Sequence, residues 1–495
     1  MMPVQPSLHS APLSPMGHSP TQSTLSSKTA TKESSPDDLA TRLAAMEKAI
    51  ETSRKELGVP GASLVVVKDG KVVYMQGLGL RDVDHKQPVT PDTLFAIGSS
   101  TKAFTAMTAM MSVDDGKLSL TDSPKKYLPY FKLQDPDVDA KITISDLLCH
   151  RSGLARTDIA WGSGKLTSEE VIRIAGQAKP TAKLGEKFQY QNVMFLAAGQ
   201  TVGAAQKQPW TTVLAKRILK PLGMNATNTS IAAMQRAPDF ALGYRYDAET
   251  KQSTHLPMRN LESIAPAGAI NSSARDMAHW LQFLLAGGVT RGKRLVSQKS
   301  FGELFKKHMS MGGKMDYGYG WMLEEWQGHR VAEHGGNIDG FSAEVALMPD
   351  QRLGFALLTN ANTTPLASLA RETIWQSLLG APPKREAAKP VVPALDPAKE
   401  VGVYRLAAAN LDVAIALKDN ILTLTVPGQP TYNLENVGGR RYKLSVAPRF
   451  LRHVPAREGR PDADRAVYGT ASGQFHGRES YRRTGPTRCG RGGGL

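Results

Sequence analysis

The chain has 495 residues, 41% hydrophobic and 21% charged, the composition of an ordinary globular protein long enough for two or three units. No uninterrupted apolar stretch approaches the roughly 18 residues of a membrane helix, and Cys149 and Cys489 lie too far apart to suggest a disulfide framework or a zinc site. Over a third of the net charge of +16 lies in residues 447–495, which hold ten arginines against four acidic residues; the remainder is spread over the body with no basic run interleaved with aromatics, so nucleic acid is not an expected partner.

Residues 1–36 are rich in Ser, Pro and Thr and bury too little to offset the cost of ordering, so a disordered leader is expected. It lacks the positive start and apolar run of a secretory signal. Asp37 or Asp38 opens a helix on which Leu39, Leu43, Met46 and Ile50 share a face, and Val59-Pro60 ends it. Ser63 to Val67 and Val72 to Met75, around Lys68-Asp69-Gly70, read as a β-hairpin. From about Thr101 to Gly288 the pattern is mostly helical, as at Ile144 to His150 and Arg275 to Leu285. Arg330 to Glu333, Ala343 to Met348 and Leu353 to Thr359 are strand-like, and a helix follows from about Thr364 to Leu379.

This order predicts an α/β unit over 37–380. One antiparallel sheet is assembled from both ends of the sequence, flanked by terminal helices, with a mostly helical insert beside it. Residues 381–399 are a proline-rich linker, and 400–446 form a small β module with strands at Leu411 to Ala416, Ile421 to Val426 and Tyr442 to Leu444. From 447 the pattern gives way to an atypical Arg/Gly-rich tail, whose abrupt start suggests a divergent terminus or a reading-frame change.

Ser99 and Lys102 lie three apart at the start of a helical run, so hydroxyl and amine share one face. The helix start also leaves the Ser99 N–H free for an oxyanion. The spacing alone is weak evidence, because Ser123-Pro124-Lys125-Lys126 repeats it in what reads as a structural turn. Tyr190-Gln191-Asn192 falls on a loop before an apolar helix, and His334-Gly335-Gly336 at the end of a strand. No His-Glu-x-x-His is present, and Asp135, Asp137 and Asp139 lack the glycine and terminal Glu of a calcium loop. No metal or cofactor is expected.

Together with Leu147-Leu148-Cys149-His150-Arg151-Ser152-Gly153-Leu154, Pro266-Ala267-Gly268, Ser272-Ser273-Ala274-Arg275-Asp276 and Gly340-Phe341, these motifs resemble the β-lactamase-like, penicillin-recognising serine hydrolases. That family includes class C β-lactamases, DD-carboxypeptidases, D-aminopeptidases and related esterases. The resemblance covers roughly residues 38–380 and implies that Ser99 is acylated, that Lys102 activates it and that Tyr190 relays the proton to the leaving group. The general base stays open, since Lys102 either takes the proton or, as a cation, orients Ser99 and Tyr190. Asn192 would hold the substrate amide or Lys102, and the N–H groups of Ser99 and Asn337 would form the oxyanion hole. Gly335 and Gly336 would let a substrate backbone approach. His150 reads as structural, and Tyr317, Tyr319 and Trp321 either line the cleft or fill the core.

His334-Gly335-Gly336 stands where many β-lactamases have Lys-Thr-Gly. A largely neutral His and a missing hydroxyl weaken a carboxylate clamp. The expected function is therefore a hydrolase of peptide, amide or ester substrates through an acyl-enzyme, with β-lactam hydrolysis secondary. The alternative is a non-hydrolytic sensor or scaffold of the penicillin-binding type. The partner is a small molecule or peptide, and the resemblance leans toward a periplasmic or secreted location. Oligomeric state is not legible.

Overall fold

The computed structural model describes residues 36–247, 250–380, 397–406, 411–426, 431–438 and 441–444. Of the expected leader (1–36), linker (381–399) and tail (447–495), all but residues 36 and 397–399 lie outside the described residues. The first helix, α1 (Pro36–Glu56), leads into β1 (Gly61–Lys68) and β2 (Lys71–Asp82), the hairpin read from the sequence, and β3 (Gln87–Pro88) follows.

The remaining strands of the main sheet come from the far end of the domain. They are β4 (Met309–Gly312), β5 (Met315–Tyr317), β6 (Met322–Trp326), β7 (His329–Ile338), β8 (Phe341–Met348) and β9 (Leu353–Thr359). The nine strands run β4-β5-β6-β7-β8-β9-β1-β2-β3 with antiparallel neighbours. β1 joins the two ends by pairing with β9, Ala62 opposite Thr359 and Lys68 opposite Leu353.

Successive side chains of a strand point to opposite faces, so the central strands feed two cores. Val65, Val67, Val345, Leu347, Ala356 and Leu358 face the helical insert. Leu64, Val66, Ala346, Met348, Phe355 and Leu357 face the layer of α1 and the last helix of the domain, Leu366–Leu379. Covering both faces explains why these strands read as continuous apolar runs rather than alternating ones.

The helix α2 (Thr101–Asp114) is buried from Thr101 to Ser112. It packs against α3 (Asn192–Gln206) and stacks Phe104 on Trp280 of α4 (Ala274–Leu285), with ring centroids 4.0 Å apart. The middle of the chain is less uniformly helical than its pattern suggests, for it also carries a ribbon of Gly243–Asp247 paired with Gln252–Leu256.

The last described residues form a separate five-stranded antiparallel sheet spanning Gly402–Leu406, Leu411–Lys418, Ile421–Thr425, Tyr432–Gly438 and Arg441–Leu444. Tyr404, Val413, Ile415, Leu422 and Leu424 are in its core. A turn at Pro397–Glu400 precedes it, and Tyr404 donates to the Glu400 carbonyl at 2.9 Å.

Candidate active site

Ser99 lies in a 3₁₀ turn, Gly98–Ser100, that runs directly into α2. One turn later the Lys102 ammonium is fully buried. Its Nζ lies 3.0 Å from Ser99 Oγ, 2.8 Å from Asn192 Oδ1 and 2.8 Å from the carbonyl oxygen of Ala267. Asn192 is the first residue of α3 rather than a loop residue, and Gln191 caps that helix by accepting from Val193 N. The Tyr190 ring covers Lys102, with Nζ 4.8 Å from its centroid, and Ser99 is close enough to its phenol to lower its pKa in part.

The opposite wall is β7. The His-Gly-Gly segment lies inside this strand, which runs on to Ile338 rather than stopping at His334. Neighbouring β6 pairs with β7 only as far as Met322 opposite Glu333, so beyond His334 that edge of β7 turns to the Ser99 turn. A methyl on Gly336 would stand 1.9 Å from Ile97 O and 2.9 Å from Ser99 N, and one on Gly98, whose φ is +49°, would stand 2.9 Å from Asn337 N. The two glycines thus allow the backbone nitrogens of Ser99 and Asn337 to sit on touching segments. Ser100 Oγ donates to the His334 carbonyl at 2.9 Å and ties the segments together.

The site's titratable groups are set mainly by burial. Burial holds Lys102 well below the usual lysine range, the Arg156 charge lowers it further, and Asp158 opposes both. Burial raises the Tyr190 phenol, leaving it a proton donor at neutral pH. His334 is pushed down to about 3 by burial and by Lys102, so its imidazole is neutral.

His334 does not face the open cleft. It is 1% exposed, its Nε2 is 3.0 Å from the Tyr317 hydroxyl and its Nδ1 is 2.7 Å from the Gly335 carbonyl. Both ring nitrogens are thus engaged within the protein. Asn337 is exposed at the edge, and its side chain accepts from Ser342 at 2.7 Å.

His150 is buried, accepts from Gln191 N at 3.0 Å and stacks beside Tyr190, with centroids 4.2 Å apart. It supports the Tyr190 loop. Tyr317, Tyr319 and Trp321 are all buried. Ser123 caps a turn by accepting from Lys125 N, and Lys125 pairs with Asp139, so the second Ser-x-x-Lys match is structural.

Two groups went unnoticed in the sequence. Asp158 Oδ1 accepts from Asn192 Nδ2 at 2.9 Å and from Trp161 Nε1 at 3.0 Å, while Arg156 Nε donates to its Oδ2 at 2.7 Å. The Arg156 guanidinium also lies 5.4 Å from the Tyr190 ring centroid. The signal available was an Arg-x-Asp directly after the Leu147 to Leu154 segment.

A shallow recess open to solvent is lined by Ala96, Met258, Leu261, Ala269, Ile338 and Phe341 among others, Ile338 being the residue after Asn337. Arg259 and Asp339, also in its lining, pair at 3.0 Å. Among the described residues no cluster of His, Cys, Asp and Glu could hold a metal, and no helix is long and apolar enough to cross a membrane.

A family model described as Beta-lactamase matches residues 46–379. The unguisins hydrolase ungD' of Aspergillus campestris is 31% identical over 337 residues, 65% of this chain and 62% of that protein. Protein flp of Staphylococcus aureus (strain COL) is 31% identical over 322 residues, 63% of this chain and 62% of that protein. The chain thus spans less than two thirds of the length of these relatives. Among solved structures, the octameric penicillin-binding protein homologue from Pyrococcus abyssi superposes with a TM-score of 0.64 at 27% identity, covering 79% of this chain and 90% of that one. SurE, at 24% identity and a TM-score of 0.59, shares the fold.

Proposed function

The chain belongs to the β-lactamase family, and from that premise we propose that it is a serine hydrolase of neutral esters, amides and peptides, working through an acyl-enzyme on Ser99. The observation that carries the reading is the 3.0 Å contact between Ser99 Oγ and a wholly buried Lys102 Nζ. Burial favours the neutral amine, which is a base, over the ammonium, which is not.

In the first half-reaction the Ser99 hydroxyl gives its proton to Lys102 Nζ as Oγ bonds to the substrate carbonyl carbon. The carbonyl oxygen becomes an oxyanion held by the N–H groups of Ser99 and Asn337. The Tyr190 phenol then protonates the leaving alcohol or amine and recovers a proton from Lys102. In the second half water attacks the acyl carbon, its proton passes to the same groups, and the acid leaves with Ser99 restored.

Charge supports the choice of substrate class. His334 is neutral, Gly335 has no hydroxyl, and Arg156 is balanced by Asp158. With Lys102 also neutral, nothing on the cleft wall selects a carboxylate beside the scissile bond, as the grip on a β-lactam would require. The recess that begins at Ile338 offers mainly apolar surface, which supports an apolar acyl group.

The test is a panel of p-nitrophenyl esters, D-alanyl amides and β-lactams turned over by wild type and Ser99→Ala. Ester and amide turnover that falls about 10⁴-fold or more in Ser99→Ala is expected. Efficient cephalosporin turnover with no ester or amide hydrolysis would overturn the substrate class. Stoichiometric acylation without turnover would identify a sensor instead.

A further inference from the structure

We propose that Asp158 is a positioning residue for the nucleophile: by fixing the orientation of the Asn192 amide, it leaves the Ser99 hydroxyl as the only group to which the lone pair of Lys102 can point. This rests on the functional reading above, in which Lys102 receives the Ser99 proton.

A neutral lysine amine has two hydrogens and one lone pair. Lys102 Nζ has three polar neighbours, and two of them, Ala267 O and Asn192 Oδ1, only accept. Those two take the hydrogens, so the lone pair faces Ser99 Oγ at 3.0 Å. No other neighbour competes for it. The Tyr190 and Phe195 rings cover the amine at 4.8 and 5.5 Å, and His334 and His150 act on it through space only.

The arrangement depends on which end of the Asn192 amide is turned inward. Were the amide rotated by half a turn, its NH2 would face Lys102 and donate into the lone pair, withdrawing the base from Ser99. Nothing in asparagine's shape prevents this, because its oxygen and nitrogen ends are nearly isosteric. Asp158 prevents it. Its Oδ1 sits 2.9 Å from Asn192 Nδ2, and a rotated amide would set oxygen against oxygen at that distance. Asp158 is itself held ionised: burial opposes the charge, but Arg156 and the hydrogen bonds from Asn192 and Trp161 outweigh it and keep its pKa low. A carboxylate has no hydrogen to give, so it accepts only the NH2 end.

The experiment measures the rate at which a fluorophosphonate probe labels Ser99, which needs no knowledge of the natural substrate. Asp158→Ala is expected to slow labelling about 100-fold, the scale of a displaced reacting group. In an Asn192→Leu background the same substitution is expected to add less than about twofold, because the residue acts through Asn192. Asp158→Asn keeps an oxygen that the Trp161 N–H holds at the position facing Asn192 Nδ2, so it is expected to recover most of the rate; it also carries the comparison if thermal unfolding shows that Asp158→Ala does not fold. An unchanged rate in Asp158→Ala, an equal loss in both backgrounds, or an Asp158→Asn variant as slow as an Asp158→Ala that stays folded would each overturn the proposal. A wild type that the probe never labels would overturn the functional reading and this inference together.

Discussion

Gly336 stands so close to Ile97 that a Cβ on it would lie 1.9 Å from the Ile97 carbonyl oxygen. Backbone rather than a flexible side chain fills that space, so Gly336→Ala must push β7 away from the Ser99 turn. The expected outcome is a loss of about 100-fold in kcat/KM, because Asn337 N–H would leave the oxyanion position proposed for it. Overpacking should cost about 1–3 kcal/mol of stability. Ester kinetics and denaturant unfolding on the same variant separate the two effects.

Lys102 makes the pH profile predictable in sign. In the proposed mechanism the amine acts when neutral, so kcat/KM should rise with pH through its pKa. The Arg156 charge lowers that pKa and the Asp158 charge raises it. Arg156→Gln should therefore move the acid limb to higher pH and Asp158→Asn to lower pH, the former only modestly because the Arg156 side chain is 55% exposed and screened by water. Shifts of the same sign in both variants would show that charge on this wall does not act on Lys102.

His334 should leave its mark on stability rather than on that limb. Its folded pKa of about 3 lies below the unfolded value of about 6.5. Between those values the unfolded chain takes up a proton that the folded one refuses. Stability therefore falls as pH drops from about 6.5 toward 3 and is unaffected by this group above 6.5. His334→Gln should flatten part of that slope in Tm measured against pH. An unchanged slope would mean that the ring is protonated in the folded state.

What could be read from the sequence was what is local. Ser99 and Lys102 are one helical turn apart, and Tyr190, Gln191 and Asn192 are consecutive, so their juxtaposition needs no knowledge of the fold. The β1–β2 hairpin and the apolar runs of β8 and β9 were legible for the same reason. Asp158 was not, because its bond to Asn192 spans 34 positions and a loop residue carries no periodicity. The burial of His334 was equally hidden. It depends on Tyr317 of β5, a three-residue strand beside Gly312-Gly313 that is too short to show an alternating pattern.

On the sheet face away from Ser99, Arg371 pairs with Glu333, lies 3.0 Å from Glu344 Oε1 and 3.5 Å from Glu324 Oε1. Glu333, Glu344 and Arg371 are all buried. Arg371→Met removes the cation from among three carboxylates and should destabilise the fold by about 3–5 kcal/mol at neutral pH. Chemical denaturation of both proteins at neutral pH measures it, and a loss below about 1 kcal/mol would show that Arg371 is not the cation that holds this cluster.

The recess beyond Asn337 makes acyl length the variable to test. Ala96 lies three residues before Ser99, Ile338 directly follows Asn337, and both line the recess; the acyl substituent of the proposed acyl-enzyme is expected to enter it. Longer aliphatic acyl groups gain contact there until the wall is reached, and kcat/KM should rise from p-nitrophenyl acetate to hexanoate. Ala96→Leu puts a branched side chain into the same volume. A pocket contact of this size is worth about a factor of ten, so the hexanoate-to-acetate ratio should drop about tenfold in Ala96→Leu. A ratio that stays constant would place the acyl group elsewhere in the cleft, on the side of Arg156 and Trp161.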